Sequence, residues 1–452
     1  ILDNINNFSY DWFSNIKTKI MNGSQINFIN KHILIYGLGK SGISCFNFLK
    51  KNNNCEIYDD NKENIPKKFK KKLLKLRDLL NTKFDFIVLS PGIDIKKCKI
   101  STFLSKNRSK IITELDIFEI SYPKINKITI TGTNGKSTTS KLLYDVLKIN
   151  KKDVRLTGNI GYPILMEKKI KKNTVFVIEA SSYQLDYSKF FKSNYSVILN
   201  LSPDHLERHK TFKNYVNAKF KIIKSQNKKN TAFIDYKNNF LLKLIKKNKI
   251  KSKVIRVNYL NYKKYFTRVN NCYFNNSSNK KNLSFVLNIA KILKINLKTV
   301  IDAANKFRGL NYRQQIIYNS KKFLIINDSK STSFSSTVSL IENNKNIYWI
   351  LGGLAKKGDK LKLDRKYVPN IIQAYIYGED RNYFVKSLPR NIPYKTSPTL
   401  KKIIVNLKNS LSKDNNQKVI LFSPSAASFD QFKNFEERGE FFNKNIKYLL
   451  KN

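Results

Sequence analysis

Short apolar runs bounded by glycine or polar residues recur along the chain. Most lead into a segment whose apolar positions return every three or four residues. KHILIYG at 31–37 reads as a buried strand, and Ile43 to Lys50 as the amphipathic helix that follows. Glu56 to Asp59 and Phe84 to Leu89 read as further strands. A second cycle opens at Ile125 to Thr131 and continues with Val175 to Glu179 and Ser196 to Asn200. A third opens at Phe323 to Asn327, and Tyr348 to Leu351 and Val419 to Phe422 repeat the theme. Strands alternating with helices predict parallel sheets covered by helices. Residues 229–280, rich in Asn, Lys and Tyr, carry no legible period, whereas Leu283 to Leu293 reads as helix. No fixed short repeat is visible.

Length agrees with three cycles: at about 150 residues per domain, a chain of this size predicts roughly three domains. The breaks fall near 122 and 311, giving expected domains 1–122, 123–311 and 312–452. The fold class expected is α/β, each domain built on a largely parallel sheet flanked by helices. The first and third are Rossmann-like and the central one is like a P-loop ATPase. No apolar stretch approaches the ~20 residues that span a bilayer, so no membrane insertion is expected. The first residues lack a basic segment followed by an apolar one, so no export signal is expected. Four scattered cysteines, Cys45, Cys55, Cys98 and Cys272, have neither metal-site nor disulfide spacing, which fits a cytoplasmic protein.

Charge alters the picture less than its size suggests. The formal net charge is +54, which points toward anionic partners. The lysines are spread along the whole chain, however, and no aromatic-rich RNA-binding motif or helix-turn-helix pattern accompanies them. The densest run, Lys67 to Lys75, interleaves leucines and reads as a solvated helix face. No nucleic-acid partner is expected, but the positive field favours polyanionic small substrates.

ITITGTNGKSTTSKLL carries the strongest local signal. A strand ends at Thr131. Gly132 and Gly135 let the backbone turn so that its N–H groups, with those of Thr133 and Asn134, face a phosphate, and the helix start adds its positive dipole end. Lys136 can reach the β- and γ-phosphates, and Ser137 offers a hydroxyl to Mg²⁺, with Thr138 beside it. The spacing is shorter than the full P-loop pattern. The alternative is a glycine-bearing turn with an exposed lysine. A second turn, Gly37-Leu38-Gly39-Lys40-Ser41-Gly42, follows the first strand. Asp59 lies where a ribose-binding acid would be. Its third glycine comes one residue early, so mere strand–helix packing is the rival reading. Two nucleotide-type loops in separate domains suggest that one holds ATP and the other a nucleotide-carrying substrate.

Three features follow the phosphate loop. Glu179 ends a strand in VIEASSYQL, and Asp204-His205 stands just past another in NLSPDHLERH. Lys219 lies in the helical NYVNAKFKI. Ser137 and Glu179 offer the oxygen ligands that magnesium needs. His205 is equally a structural histidine, and His209 sits in a charged stretch. On composition alone Lys219 reads as a surface lysine.

TGTNGKST, GNIG at 158–161, EASSYQL, NLSPDHLERH and NAKFKI, in this order and spacing, resemble the central domain of the Mur ligases. The resemblance extends over nearly the whole chain. GLGKSG and SPGI (Ser90 to Ile93) belong to the first domain; GLNYR, NDSKSTS, GGLAKKGD and SPSAASFDQFKNFEERG belong to the third. The last has the form typical of the D-glutamate-adding member, and the DNPR motif of the diaminopimelate-adding member is lacking. The resemblance implies ATP-dependent joining of D-glutamate to UDP-N-acetylmuramoyl-L-alanine through an acyl phosphate, by a monomer. It implies two Mg²⁺ ions, held by Ser137, Glu179, His205 and Lys219, the last as a carbamate. It gives Lys136, Glu179, His205, Lys219 and Arg313 catalytic roles. Asn282 would meet adenine, Arg313 the ATP phosphates and Asp328 the ribose. Lys40, Ser41, Asp59, Asp60 and Gly92 would line the uridine and diphosphate site, with Asn159, Ser181 and His205 toward the muramoyl-alanine. Lys330, Thr332, Lys356, Ser428 and Phe435 would surround D-glutamate. Departures occur at Tyr312, Gln315, Asn61 and Lys281. The rival readings are another amino-acid ligase of the superfamily, such as a folylpolyglutamate synthase, and a basic P-loop ATPase that binds nucleic acid.

Overall fold

The computed structural model describes residues 28–61, 65–356, 358–408, 411 and 416–447. The opening stretch 1–27 of the first expected domain, Lys357 within GGLAKKGD and the side chain of Cys272 lie outside the described residues. By contacts the chain forms two compact units, 1–258 and 259–452.

The first unit contains two sheets. One is four-stranded and parallel: β1 (His32–Tyr36), β2 (Asn54–Tyr58), β3 (Phe86–Leu89) and β4 (Ile111–Ile112), in the order β2-β1-β3-β4. The other is six-stranded and parallel: β5 (Asn126–Thr131), β6 (Val154–Gly158), β7 (Val175–Glu179), β8 (Tyr195–Ile198), β9 (Thr231–Asp235) and β10 (Lys253–Val257). Its order is β10-β9-β8-β5-β7-β6. Central strands such as β3, apolar at every position and fully buried, need helices on both faces. The apolar core runs between the two sheets, where Phe118 meets Phe176 with ring centres 4.8 Å apart. Lys127 crosses the same boundary, its buried ammonium 3.0 Å from Glu119.

The second unit begins with helices, including Ser277–Ile292 and Leu297–Lys306. Its sheet joins β11 (Gln315–Asn319), β12 (Phe323–Asn327), β13 (Ile347–Gly352), β14 (Ile371–Tyr377), β15 (Tyr394–Ser397) and β16 (Lys418–Phe422). The order is β11-β12-β16-β13-β14-β15, and only the edge strand β11 is antiparallel among these pairings. No described helix is long and apolar enough to cross a membrane.

The solvated helix expected at Lys67 to Lys75 is not formed. Lys67–Lys72 is a 3₁₀ turn that buries Phe69, Leu73 bridges in parallel to Ile57, and the helix starts only at Leu76. Anchoring Phe69 and Leu73 to the first sheet outweighs the helical period of the lysines. The illegible stretch 229–280 contains β9, β10 and the helix Asn239–Lys247. The helix expected at Leu283 begins six residues earlier, where the Asn276 side chain caps it by accepting from the Asn279 N–H.

Candidate active site

Parallel sheets gather their chemistry beyond the carboxyl ends of the strands. In the six-stranded sheet, β5, β7 and β8 end beside one another, bringing Thr131, Glu179 and the segment after Ile198 together. Gly135, at φ +83°, caps the helix Lys136–Ile149. Gly132 adopts φ +154°, and a side-chain carbon there would lie 3.1 Å from Leu199 Cβ. The turn is locked by a residue that sequence reasoning left without a role. Asn200 Oδ1 accepts from Asn134 N at 2.8 Å, its Nδ2 donates to Asn134 O at 2.9 Å, and its carbonyl accepts from Thr133 N. Its place at a strand end beside the phosphate turn was the available signal. Thr133 Oγ1 also meets the buried Tyr215 hydroxyl at 2.9 Å. Lys136 folds over the turn, donating to Gly132 O at 3.0 Å and Thr133 O at 2.7 Å. Ser137 and Thr138 are buried at the helix start.

Glu179 is fully buried. Asn159 Nδ2 donates to its Oε1 at 2.8 Å, while Oε2 has no hydrogen-bond partner among the described residues. Gly158 makes the approach possible, since a side-chain carbon there would meet Glu179 O at 2.3 Å. An unsatisfied buried carboxylate oxygen is costly unless a cation or donor completes it.

Lys219, read from composition as a surface lysine, is 2% exposed. It lies on the helix Phe212–Lys224 and donates to Gly132 O at 2.9 Å and Thr131 Oγ1 at 3.3 Å, over the Tyr215 ring. Burial, aided by the charge of Lys136, holds its ammonium well below the ordinary lysine range. His205 takes a left-handed conformation, φ +53°. Its Nδ1 meets the Tyr183 hydroxyl at 3.0 Å and its Nε2 lies 3.4 Å from Asp204. His209, in a stretch that read as charged, is buried against Ser182 Oγ at 3.0 Å, and burial pushes its pKa down. Ser181 caps the helix Ser182–Asp186 through a reciprocal bond with Gln184. Among the described residues, no cluster of three or more His, Cys, Asp or Glu side chains is arranged to hold a metal. A cation here would have to draw on hydroxyl and ligand oxygens as well.

At the four-stranded sheet, Gly42 explains the early third glycine. A side-chain carbon there would lie 1.8 Å from Gly37 O, so the helix Lys40–Leu49 rests directly on the turn. Asp59 Oδ2 accepts from Leu38 N at 2.7 Å, while Asp60 turns inward to the Tyr36 hydroxyl at 2.8 Å. Lys40 and Gly92 are exposed. Ser41 donates to Glu114, a buried carboxyl with no role from sequence, whose pKa is raised by burial.

In the second unit, Asp328 is buried at the end of β12, accepting from Gln314 N and Ser423 Oγ, each at 3.0 Å. Burial pushes its pKa up to about 7, against the opposing charges of Arg313 and Arg438. Lys330 Nζ lies 3.9 Å from the Phe435 ring centre. Thr332 and Lys356 are exposed and Ser428 is buried. Tyr312 packs its ring on Gly439, where a side-chain carbon would come within 2.3 Å. Arg438, also unassigned from sequence, is fully buried. It donates to the carbonyls of Ser329, Ala426 and Ala427 and to Ser329 Oγ, tying β12's loop to the SPSAAS loop. A cavity of about 330 Å³ is lined by Asn279, Gln314, Tyr273, Ile326 and others. Asn282 does not line it, but its Nδ2 donates to Asn279 Oδ1 at 3.3 Å.

Asp328 has a measurable consequence. Its folded pKa lies above its unfolded value, so between about pH 4 and 7 the native state binds a proton that the unfolded chain has released. Stability therefore falls as pH rises through that window. Asp328→Asn is expected to remove a few kcal/mol of that decline. Urea unfolding across this range checks it; parallel pH profiles for the two proteins would refute it.

The Mur ligase middle domain family matches residues 130–305, and the Mur ligase MurD-like N-terminal domain family matches 31–112. A UDP-N-acetylmuramoylalanine--D-glutamate ligase of Rickettsia bellii is 33% identical over 437 residues, covering 91% of this chain and 96% of its own. One from Buchnera aphidicola is 34% identical over 446 residues, covering 92% and 98%. Among solved structures, the MurF ligase of Thermotoga maritima in complex with ADP aligns with TM-score 0.56 at 16% identity, covering 94% of this chain and 97% of that one. The UDP-N-acetylmuramate-alanine ligase MurC of the same organism gives 0.56 at 16%, covering 94% and 100%. At that identity these two show a shared fold.

Proposed function

Since the chain belongs to the Mur ligase family, we infer that it joins D-glutamate to UDP-N-acetylmuramoyl-L-alanine with ATP, giving ADP and phosphate. The observation that carries the reading is the buried Lys219 amine bonded to the carbonyl of Gly132. It brings a helix residue far along the chain onto the phosphate turn. A nucleic-acid-binding ATPase has no use for that arrangement.

The substrate carboxylate attacks the γ-phosphorus of ATP, the bond to the ADP oxygen breaks, and an acyl phosphate forms. The amine of D-glutamate then attacks the acyl carbon. Phosphate leaves from the tetrahedral intermediate and the amine loses its proton. Two anions must approach in the first step, so charge neutralisation is the main demand. Lys136 and the N–H groups of 132–138 meet the phosphates. Arg313 adds a second cation, and Asp328 and Asn282 are assigned to the nucleoside. Ser137 and Glu179 would hold a first magnesium, and His205 and Lys219 a second, the Glu179 oxygen without a partner fitting this best. Magnesium would supply Lewis-acid polarisation of the phosphoryl oxygens. Depressing the Lys219 pKa raises the fraction of neutral amine, the form that takes up CO₂ to become a carbamate. Lys40, Ser41, Asp59, Asp60 and Gly92 are assigned to the UDP moiety, Asn159 and Ser181 to the muramoyl-alanine. Lys330, Thr332, Lys356, Ser428 and Phe435 are assigned to D-glutamate.

We also propose functional domains 1–122, 123–311 and 312–452, supported by one sheet within each span. We likewise propose a monomer working in the cytoplasm, where ATP and a UDP-linked substrate are supplied. The test is ADP release with each component omitted in turn. Turnover is expected only with ATP, UDP-N-acetylmuramoyl-L-alanine and D-glutamate together. ADP release that tracks another amino acid, or added DNA, would reject the reading.

A further inference from the structure

Arg208 lies in the single helical turn Leu206–His209 that follows His205. Its guanidinium carbon sits 5.3 Å from the Tyr183 ring centre and 5.4 Å from that of Tyr187. Its Nη2 donates to the carbonyl of Ile93. These contacts join three segments: the SPGI turn after β3, the helix that Ser181 caps, and the His205 loop. The Tyr183 hydroxyl in turn meets His205 Nδ1 at 3.0 Å, so the ring that Arg208 stacks on also orients His205. Tyr187 packs into the core beneath the four-stranded sheet, against the layer that includes Leu89 and Ile95. Arg208 thus spans from one sheet's turn to the other sheet's histidine.

The chemistry of the residue suits the span. A planar guanidinium can lie between aromatic faces while its forked N–H groups point outward to a carbonyl, which a lysine ammonium does not reproduce. The placement is not simply stabilising, because its Nε–H is buried without a hydrogen-bond partner among the described residues. Leaving a buried donor unpaired costs free energy.

We propose that Arg208 is a positioning residue that ties the SPGI turn to His205. The sugar nucleotide held by the turn is thereby presented with its carboxylate in register with the ATP side of the site. The proposal rests on assigning the turn at 90–93 to the UDP-linked substrate. A rigid link of this kind acts on one substrate's affinity and on the reacting geometry, not on ATP binding at the separate turn 132–138.

The test uses the full chain with Arg208→Met and Arg208→Lys. The loss of a charge-assisted hydrogen bond corresponds to about tenfold or more in affinity. For Arg208→Met, KM for UDP-N-acetylmuramoyl-L-alanine is expected to rise about that much, kcat to fall, and KM for ATP to stay within about twofold. Arg208→Lys should recover only part of the loss. Should the methionine variant fail to fold, the lysine variant carries the same split. Equal rises in both KM values, or a lowered Tm with unchanged kinetics, would overturn the role. A wild-type protein without D-glutamate-dependent turnover would sink the functional reading and this role with it. An active wild type whose variants show no split sinks the role of Arg208 alone.

Discussion

Replacing Lys136 by alanine is expected to lower ADP release by about a hundred- to a thousandfold, the range seen when one donor to developing charge is removed. The Lys136 side chain is partly buried and donates to the carbonyls of Gly132 and Thr133, which belong to the turn it closes over. The turn itself is held from outside by Asn200. The variant should therefore fold, keep its Tm within a few degrees and still bind the sugar nucleotide. Loss of kcat with retained UDP-substrate binding is the signature of a group acting on the transferring phosphoryl. Turnover equal to wild type would remove Lys136 from the mechanism.

The second large effect belongs to Lys219. Lys219→Ala is expected to cost about a hundredfold or more in activity, as loss of a ligand that places a metal does. Added acetate or formate should restore part of it. A small carboxylate can enter the space vacated by the side chain and supply the anionic oxygen that a carbamate would give. The wild-type protein should also lose activity when stripped of CO₂ and bicarbonate, and regain it on their return. Because Lys219 is 2% exposed, alanine leaves a cavity and lowers stability as well. Lys219→Met keeps most of the volume and separates the two effects. A methionine variant that folds and turns over normally shows that the amine is a packed helix residue and nothing more.

The two variants probe different kinds of legibility. Lys136 announced itself through its neighbours: a strand, two glycines and a helix start within a few residues dictate where its ammonium goes. Lys219 had no such local frame. In a chain this rich in lysine, a lysine in an amphipathic helix looks solvated, and only its place among ordered motifs marked it. What buries it is the packing of the helix Phe212–Lys224 onto strands whose partners lie far away in sequence.

The same division runs through the whole molecule. Strand–helix alternation, the phosphate turn and the loop motifs beyond residue 311 were readable, because backbone dihedral demands and side-chain periodicity act over a few residues. The antiparallel edge strand β11 and the strands β14 and β15 were not picked out. Nor were the 3₁₀ turn at Lys67–Lys72 and the helix in 229–280, where long-range packing overrules the local pattern. The chemistry is divided alike. The sequence by itself proposed which groups serve a phosphate and its magnesium: Lys136, Ser137, Glu179 and His205. Tertiary structure alone decided that Glu179 would leave one oxygen unsatisfied, that Asn200 would clamp the turn, and that Arg208 would reach from His205 to Ile93. Those are properties of burial and of hydrogen bonds across large sequence separations, and no local periodicity encodes them.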